Sequence, residues 1–499
     1  MPIQKKVGSS SLVTELDLPS NGGLTGGQFR PLSGEDVQQI HAAALDILES
    51  AGAEIHSQKA LDLLEAAGAR VDRSLPRAWL PQSMVEESIF HAPPAVRLCG
   101  RQPENDLVLA GRRVHLGTGG TAINVLDLDG VKRPSTLEDC RLIPRLVDAL
   151  ENVHFIVLPV YPNELPDDQV DVNRFYAGLS NSSKHIMGGM YTLEGAMNVI
   201  RMAEMIAGGP EALRERPIIS FITLIISPLR VDELYGDILV EVARQGIPLA
   251  VPCEPMAGST SPVTLAGNLT MFAADTLIGV TLAQLARPGS PVLCGYVGTI
   301  PDLRSMSYLS GAVEQGLLNA GAAQLAQYWQ IPFYATAGMS DSKALDAQTG
   351  YESAMTTLMV SLSGANYIHD AAGLMEFAMV ASYEKYVIDN EIIGMAMRAV
   401  RGIEVTPETI GAEAIKAVGP GGHFMTQRHT RRYLREEFFF PKLSDRESRE
   451  DWEQSGSLDT RTRAHDLVRE ILETHQPEPI PPEIDAAICS QFGIIRPEL

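Results

Sequence analysis

Between residues 114 and 402 the chain alternates short β-rich apolar runs with helix-length segments that place apolar residues at three- and four-residue spacing. The runs begin at Val114, His154, His185, Pro217, Ile247, Pro291, Ile331 and Asn366. The segments TLEGAMNVIRMAEMIAGG, VDELYGDILVEVARQG and EKYVIDNEIIGMAMRAVRG each end on glycine, which supplies the left-handed turn that stops a helix. Eight strand–helix units are the closing number of a parallel α/β barrel, so the pattern predicts the (β/α)8 TIM barrel class. An open, doubly wound sheet stays as the alternative, because periodicity does not report closure. Ahead of the barrel, Ser33 is placed to cap a helix with Val37, Ile40, Ala44, Ile47 and Leu48 on one face, and a second helix is expected over about 58–67. The expected organisation is a helical N-terminal extension over 1–110, the barrel over 111–402 and a C-terminal helical wrap over 403–499.

Composition narrows the class of partner. The 499 residues carry 40 Lys and Arg against 62 Asp and Glu, a net charge of −22. Electrostatic attraction to nucleic acid or anionic lipid is not expected. Five cysteines, an odd number without a C-x-x-C pair, point to reduced thiols in a cytoplasmic protein. The start, MPIQKKVGSSSLVTELDLPSNGG, lacks the apolar core of a secretory signal, and no apolar run reaches the roughly 18 residues of a membrane span.

In a barrel of this class the chemistry sits on the loops after the strands, so the residues that follow each run are the candidates. Gly117-x-Gly119-x-x-Ala122 matches a loose dinucleotide fingerprint, but the Asp129-Gly130 turn downstream predicts a hairpin where a pyrophosphate-binding helix is needed. None of the eleven histidines forms HExxH or a close pair, and neither a G-x-S-x-G elbow nor a Walker loop occurs, so no metal site is expected. The strand ends are instead rich in Gly, Tyr, Thr and Ser. Tyr161, Tyr191, Tyr296 and Tyr334 are candidates for an aromatic cage around a quaternary ammonium. Glu254, Asp341 and His369 are the candidate catalytic groups, and Lys343, Gln348 and Tyr351 join the substrate-binding set.

The chain resembles the trimethylamine methyltransferase (MttB-like) superfamily of corrinoid-protein methyltransferases over about residues 24–475. The carrying motifs are Arg30-Pro-Leu-Ser with Ile40-His41-Ala-Ala-Ala-Leu-Asp-Ile-Leu, Gly117-Thr-Gly-Gly-Thr, Ser183-Lys184-His185, the segment Tyr334-Ala-Thr-Ala-Gly338-Met-Ser-Asp341-Ser-Lys343 running on to Asp346-Ala-Gln348-x-Gly350-Tyr351-Glu352, and Gly422-His423-Phe-Met-x-Gln427-x-His429-Thr. The resemblance implies a barrel that takes a methyl group from an amine and hands it to the cobalt of a separate corrinoid protein. Trimethylamine methyltransferases proper carry a pyrrolysine, whereas this chain is written in standard residues throughout. That departure moves the expected substrate to a quaternary amine, glycine betaine first, with carnitine, proline betaine and trimethylamine as alternatives.

A quaternary nitrogen leaves as a neutral tertiary amine, so no proton has to be supplied, and the protein's part is positioning and electrostatics. Glu254 or Asp341 would balance the ammonium; Lys343, His369 or loop N–H groups would hold a substrate carboxylate. The D-x-H-x-x-G signature of corrinoid modules is missing, since His115 and His369 lack an Asp two residues before. The cobalamin is therefore expected on a cognate corrinoid protein and not held covalently here, with the C-terminal region as one rim for docking. A pterin acceptor, a non-catalytic quaternary-amine binding barrel and a dinucleotide oxidoreductase remain as competing readings, and self-association is an open expectation.

Overall fold

The computed structural model describes residues 23–496; residues 1–22, most of the stretch tested above for a signal sequence, lie outside the described residues. The eight runs become eight parallel strands: β1 Arg113–Thr118, β2 Phe155–Val157, β3 His185–Gly189, β4 Ile219–Ile222, β5 Leu249–Cys253, β6 Val292–Tyr296, β7 Phe333–Thr336 and β8 Tyr367–Ala372. Each pairs with the next, and Tyr367 and Ile368 of β8 pair with His115 and Leu116 of β1, so the sheet closes. This is the expected (β/α)8 barrel, and closure removes the open-sheet alternative.

The helices are α1 Leu137–Asp148, α2 Asp167–Asn181, α3 Leu193–Ala207, α4 Glu233–Gln245, α5 Leu265–Ala286, α6 Val313–Trp329, α7 Ala347–Ser363 and α8 Tyr383–Arg401. Side-chain caps set the starts of six of them, all but α2 and α6. Thr136 and Asp139 make a reciprocal capping box on α1, and Thr192, Asp232, Thr264, Asp346 and Ser382 accept from first-turn N–H groups. Helix α5 is long and apolar enough to cross a bilayer by length and composition, a feature the run-by-run reading passed over. It is apolar all round because it is buried all round, between β5 and β6 on one side and the N-terminal helices on the other.

The N-terminal extension is not purely helical. Besides helices Gly34–Ser50, Gln58–Ala66 and Gln82–His91 it holds strands Ala53–Ile55, Arg70–Asp72 and Arg77–Trp79, which form one sheet with Arg230–Val231 from the β4–α4 connection. Strands of three residues show no readable alternation, and the partner of Ala53–Ile55 lies far along the chain. A hairpin, Ala95–Leu98 with Leu107–Ala110, then plugs the bottom of the barrel: Val96, Leu98, Leu107 and Leu109 pack with inward-facing Phe155, Met187 and Leu293. At the C-terminal side, Thr460–Thr474 packs on α8 and α1, and Pro482–Phe492 packs on α3.

Candidate active site

A cavity of about 460 Å³ opens at the C-terminal ends of the strands. Its wall is built by alternation: Val157, Ile222, Pro252, Tyr334 and His369 are strand positions facing the barrel axis, the loops add Tyr191, Glu254, Tyr308, Met339 and Phe377, and the first turn of α4 adds Tyr235. Below it runs a column of rings, Phe155 on Tyr367 at 3.5 Å, Tyr367 on Tyr334 at 5.6 Å and Tyr334 on His369 at 4.0 Å between centroids. The predicted Asp129-Gly130 hairpin forms, Asn124–Leu126 with Lys132–Pro134, and joins the hairpin Leu374–Met375 with Val380–Ser382 to roof the mouth. The turn of the second hairpin is left-handed at Glu376, Phe377 and Ala378, with φ of 48°, 62° and 64°. Such conformations cost of order 1–3 kcal/mol each and persist where the surroundings impose them; here the Lys132–Glu376 ion pair at 2.7 Å ties the hairpins and sets Phe377 and Met379 over the cavity.

Three titratable groups meet at the floor, His369, Asp370 and Glu254. His369 has Nδ1 at 2.6 Å from the Ala335 carbonyl and Nε2 at 2.9 Å from Asp370 Oδ2. Both ring nitrogens face acceptors. Thr336 Oγ1 donates to the same Asp370 oxygen at 2.6 Å, while Asp370 Oδ1 is buried without a hydrogen-bond partner. Asp370 itself sits at φ 60°. Glu254 is open to the cavity but surrounded by protein, and that burial, followed by the charge of Asp370, holds its carboxyl above the usual range. Among the described residues, no lysine or arginine lines the cavity. A buried cation stands behind the wall at Arg174, whose Nη2 donates to Thr121 Oγ1 at 2.9 Å and whose guanidinium carbon is 5.4 Å from the Tyr191 ring centroid. Thr121 lines the cavity and keeps its own O–H free to donate.

The family model described as "Trimethylamine methyltransferase (MTTB)" matches residues 21–495. The chain belongs to this family. A trimethylamine methyltransferase MttB of Desulfitobacterium hafniense is 37% identical over 472 residues, covering 93% of this chain and 95% of the relative. A glycine betaine methyltransferase of the same species is 35% identical over 462 residues, covering 92% and 96%. A trimethylamine methyltransferase MttB of Methanosarcina thermophila is 33% identical over 469 residues, covering 92% and 96%. The resemblance carried by the sequence motifs is thus borne out over nearly the whole chain.

Of the expected site residues of this trimethylamine methyltransferase family member, the fold brings Glu254, His369, Tyr191 and Tyr334 to the cavity. Tyr161 stands behind Tyr191, edge-on at 5.3 Å, with its hydroxyl donating to Asp167 at 3.0 Å. Tyr296 is corrected: by the two-residue period of β6 it points outward, fully buried against Phe272, and its hydroxyl donates to Asn268. Asp341 is also turned from the cavity. It accepts from Ser310 N at 2.8 Å, Ser310 Oγ at 2.6 Å and Gly311 N at 3.1 Å, which anchors the β6 loop that carries Tyr308. Lys343 donates to the Asp341 carbonyl at 2.6 Å and lies 4.2 Å from the Phe377 ring centroid, behind the cavity wall. Gln348 donates to Glu352 Oε1 at 2.8 Å, and Glu352 Oε2 accepts from Ser340 and from Asp341 N. Tyr351 is 58% exposed on the outer face of α7. The segment from Ser340 to Glu352 is therefore a hydrogen-bonded brace.

Lys184 and His185 of the Ser183-Lys184-His185 motif are structural in the same sense. Lys184 Nζ donates to the carbonyls of Val147, Leu150 and Val153 at 2.7, 2.7 and 2.5 Å, closing the end of α1, and His185 bridges Cys99 O and Ser220 Oγ. A Cβ at Gly117 would meet the Phe155 ring at 2.2 Å, so that glycine of the loose dinucleotide fingerprint is required by barrel packing. Among the cavity residues not singled out from sequence are Asp370, Tyr235, Tyr308 and Phe377. Asp370 was legible as the acid following His369 at a strand end; Tyr308 and Tyr235, in a long loop and a helix first turn, carried no periodic signal.

Proposed function

We propose that this enzyme removes a methyl group from a quaternary amine, glycine betaine first, and passes it to Co(I) of a separate corrinoid protein, leaving dimethylglycine. The observation that carries the reading is the cavity wall: Tyr191, Tyr235, Tyr308, Tyr334 and Phe377 with the carboxyl groups of Glu254 and Asp370, and, among the described residues, no lysine or arginine. Aromatic faces and carboxylates attract a quaternary ammonium, each well-placed ring by about 0.5–2 kcal/mol. Family membership and the relative named glycine betaine methyltransferase support the reaction class and the first substrate to test.

The cavity volume suits a small amine and excludes a corrin macrocycle, so the methyl acceptor is presented at the mouth by its own protein. Reduced cobalt supplies the nucleophile; the N–CH3 bond breaks and its electron pair stays on nitrogen, which becomes neutral. The residues present hold the substrate so that one methyl faces the mouth, and Asp370 balances the positive charge until it is lost. A substrate carboxylate is met by hydroxyl donors, foremost Thr121 backed by Arg174, in place of Lys343. No general acid is required, so Glu254 acts through its charge and not as a proton source.

Single-turnover methylation of reduced corrinoid, free and protein-bound, followed by its visible spectrum with glycine betaine, carnitine, proline betaine and trimethylamine, tests the reading. A methylated corrinoid with a quaternary amine and none with trimethylamine is the expected result. Transfer from trimethylamine alone overturns the substrate class, and binding by calorimetry without transfer from any amine makes the chain a binding barrel.

A further inference from the structure

The chain leaves α8 at Arg401 and returns to it at Glu437, where Arg398 Nε donates to the Glu437 carbonyl at 2.8 Å and Arg398 Nη2 pairs with Glu437 Oε1 at 3.0 Å. The excursion in between is built, not loose. It contains helices Ala412–Val418 and Arg428–Glu437, with His429 Nε2 at 3.0 Å from the Glu408 carbonyl and Thr430 Oγ1 donating to Phe424 O at 2.7 Å. Yet from residue 403 to residue 442 not one side chain is buried. Ile403 is 85% exposed, Met425 82%, Val405 73%, Phe438 and Phe440 59% each, and Leu434 48%.

We propose that this arm, residues 403–442, is the interface through which the protein pairs with a second copy of itself. Its apolar side chains expose area on the order of 1,000 Å², beyond the few hundred Å² that monomers leave open and close to the roughly 800 Å² each partner contributes to a standard interface. Charge selects the occupant. Arg428, Arg431, Arg432 and Arg435 are exposed on the arm and none forms an ion pair among the described residues, while the chain as a whole carries −22. A second copy offers the acidic surface these guanidinium groups lack. Position excludes the other candidate. Helix α8 runs against the strands, so the arm springs from the end of the barrel where the strands begin, beside the Lys442–Glu151 ion pair, and the cavity opens at the opposite end. A methyl-acceptor protein must reach the cavity mouth; the sequence-based expectation that the C-terminal region rims its docking site does not hold for residues 403–442.

Sedimentation velocity of the full chain from nanomolar to tens of micromolar, beside the Ile403→Asp/Met425→Asp double variant and the Arg431→Glu/Arg435→Glu double variant, tests the proposal. The wild type is expected to sediment as a dimer or a higher even assembly. The first variant should associate about 100-fold more weakly; the second should also associate more weakly and regain part of that loss in added salt, which screens the new repulsion while it loosens the wild type, both with unchanged circular dichroism and unchanged amine binding to the cavity. A wild type that stays monomeric throughout, or an Ile403→Asp/Met425→Asp variant that sediments as the wild type does, overturns the proposal. So does an arm variant that keeps its assembly state and loses capture of a corrinoid protein, because the arm's occupant is then that protein.

Discussion

Gly119 and Asp370 occupy one space: a Cβ at position 119 would stand 1.6 Å from Asp370 Oδ1 and 2.5 Å from its Cα. The first and last strands of the barrel thereby place their loops in contact at the cavity floor, and only a residue without a side chain lets Asp370 hold its left-handed conformation there. Gly119→Ala is expected to lower stability by about 1–3 kcal/mol and to cut kcat/KM at least about tenfold, because Asp370 must shift or the loops must part. Urea unfolding and single-turnover transfer read the two effects separately.

Asp370→Asn keeps the shape and removes the charge. Oδ1 has no hydrogen bond to lose, while Oδ2 serves Thr336 and His369. KM for a quaternary amine should rise about tenfold, roughly 1.4 kcal/mol, with folding preserved. Affinity for an uncharged isostere, measured by calorimetry, should be unchanged; an equal loss for both ligands would show that Asp370 acts on shape and not on charge.

Two tyrosines of like sequence context should behave oppositely. Tyr191 lines the cavity and Tyr296 is locked behind β6 against Phe272 and Asn268. Tyr191→Leu is expected to raise KM by about 2- to 30-fold through loss of about 0.5–2 kcal/mol of ring–cation attraction, with Tm unmoved. Tyr296→Leu is expected to cost about 2–4 kcal/mol of stability, from the cavity left and from the stranded Asn268, with KM unmoved. Thermal unfolding and steady-state kinetics on both variants decide it.

Asp275, on α5, holds the β4 loop through Ser227 Oγ at 2.6 Å and Leu229 N at 2.7 Å. Burial pushes its carboxyl up to about 7, against the lowering by those donors. The unfolded value is near 3.9, so between the two the folded chain binds a proton that the unfolded chain has released. Its contribution to stability is complete below about pH 4 and is lost as pH rises to about 7. Asp275→Asn should flatten that fall, by a few kcal/mol relative to the wild type across the window. Urea midpoints from pH 5 to 8 compare the two chains; parallel curves would assign the slope to other groups.

The barrel was legible because each of its units satisfies a local rule. β-Rich runs at strand length, helices closed by Gly208 at φ 93° and Gly246 at φ 74°, and a cap at Ser33 are properties of neighbouring residues. The Asp129-Gly130 hairpin was legible for the same reason, and it correctly displaced a nucleotide-binding reading of Gly117 and Gly119. The N-terminal strands were not, since three residues carry no period and their register depends on Arg230–Val231.

Which residues meet the substrate was decided only in three dimensions. A strand alternates direction at every residue, so placing tyrosines at strand ends does not settle whether a given ring faces the axis, as Tyr334 does, or the surrounding helices, as Tyr296 does. The same holds for charge. Asp341 and Lys343 lie in one of the family-resembling motifs and are consumed by neighbours there, whereas Asp370 and Tyr308 acquire their places from contacts with Gly119 and with the loop that Asp341 anchors. Local spacing determines elements and their order; convergence of eight loops on one small volume is a long-range property, set by closure between Tyr367 and His115 and by packing that no short window of sequence contains.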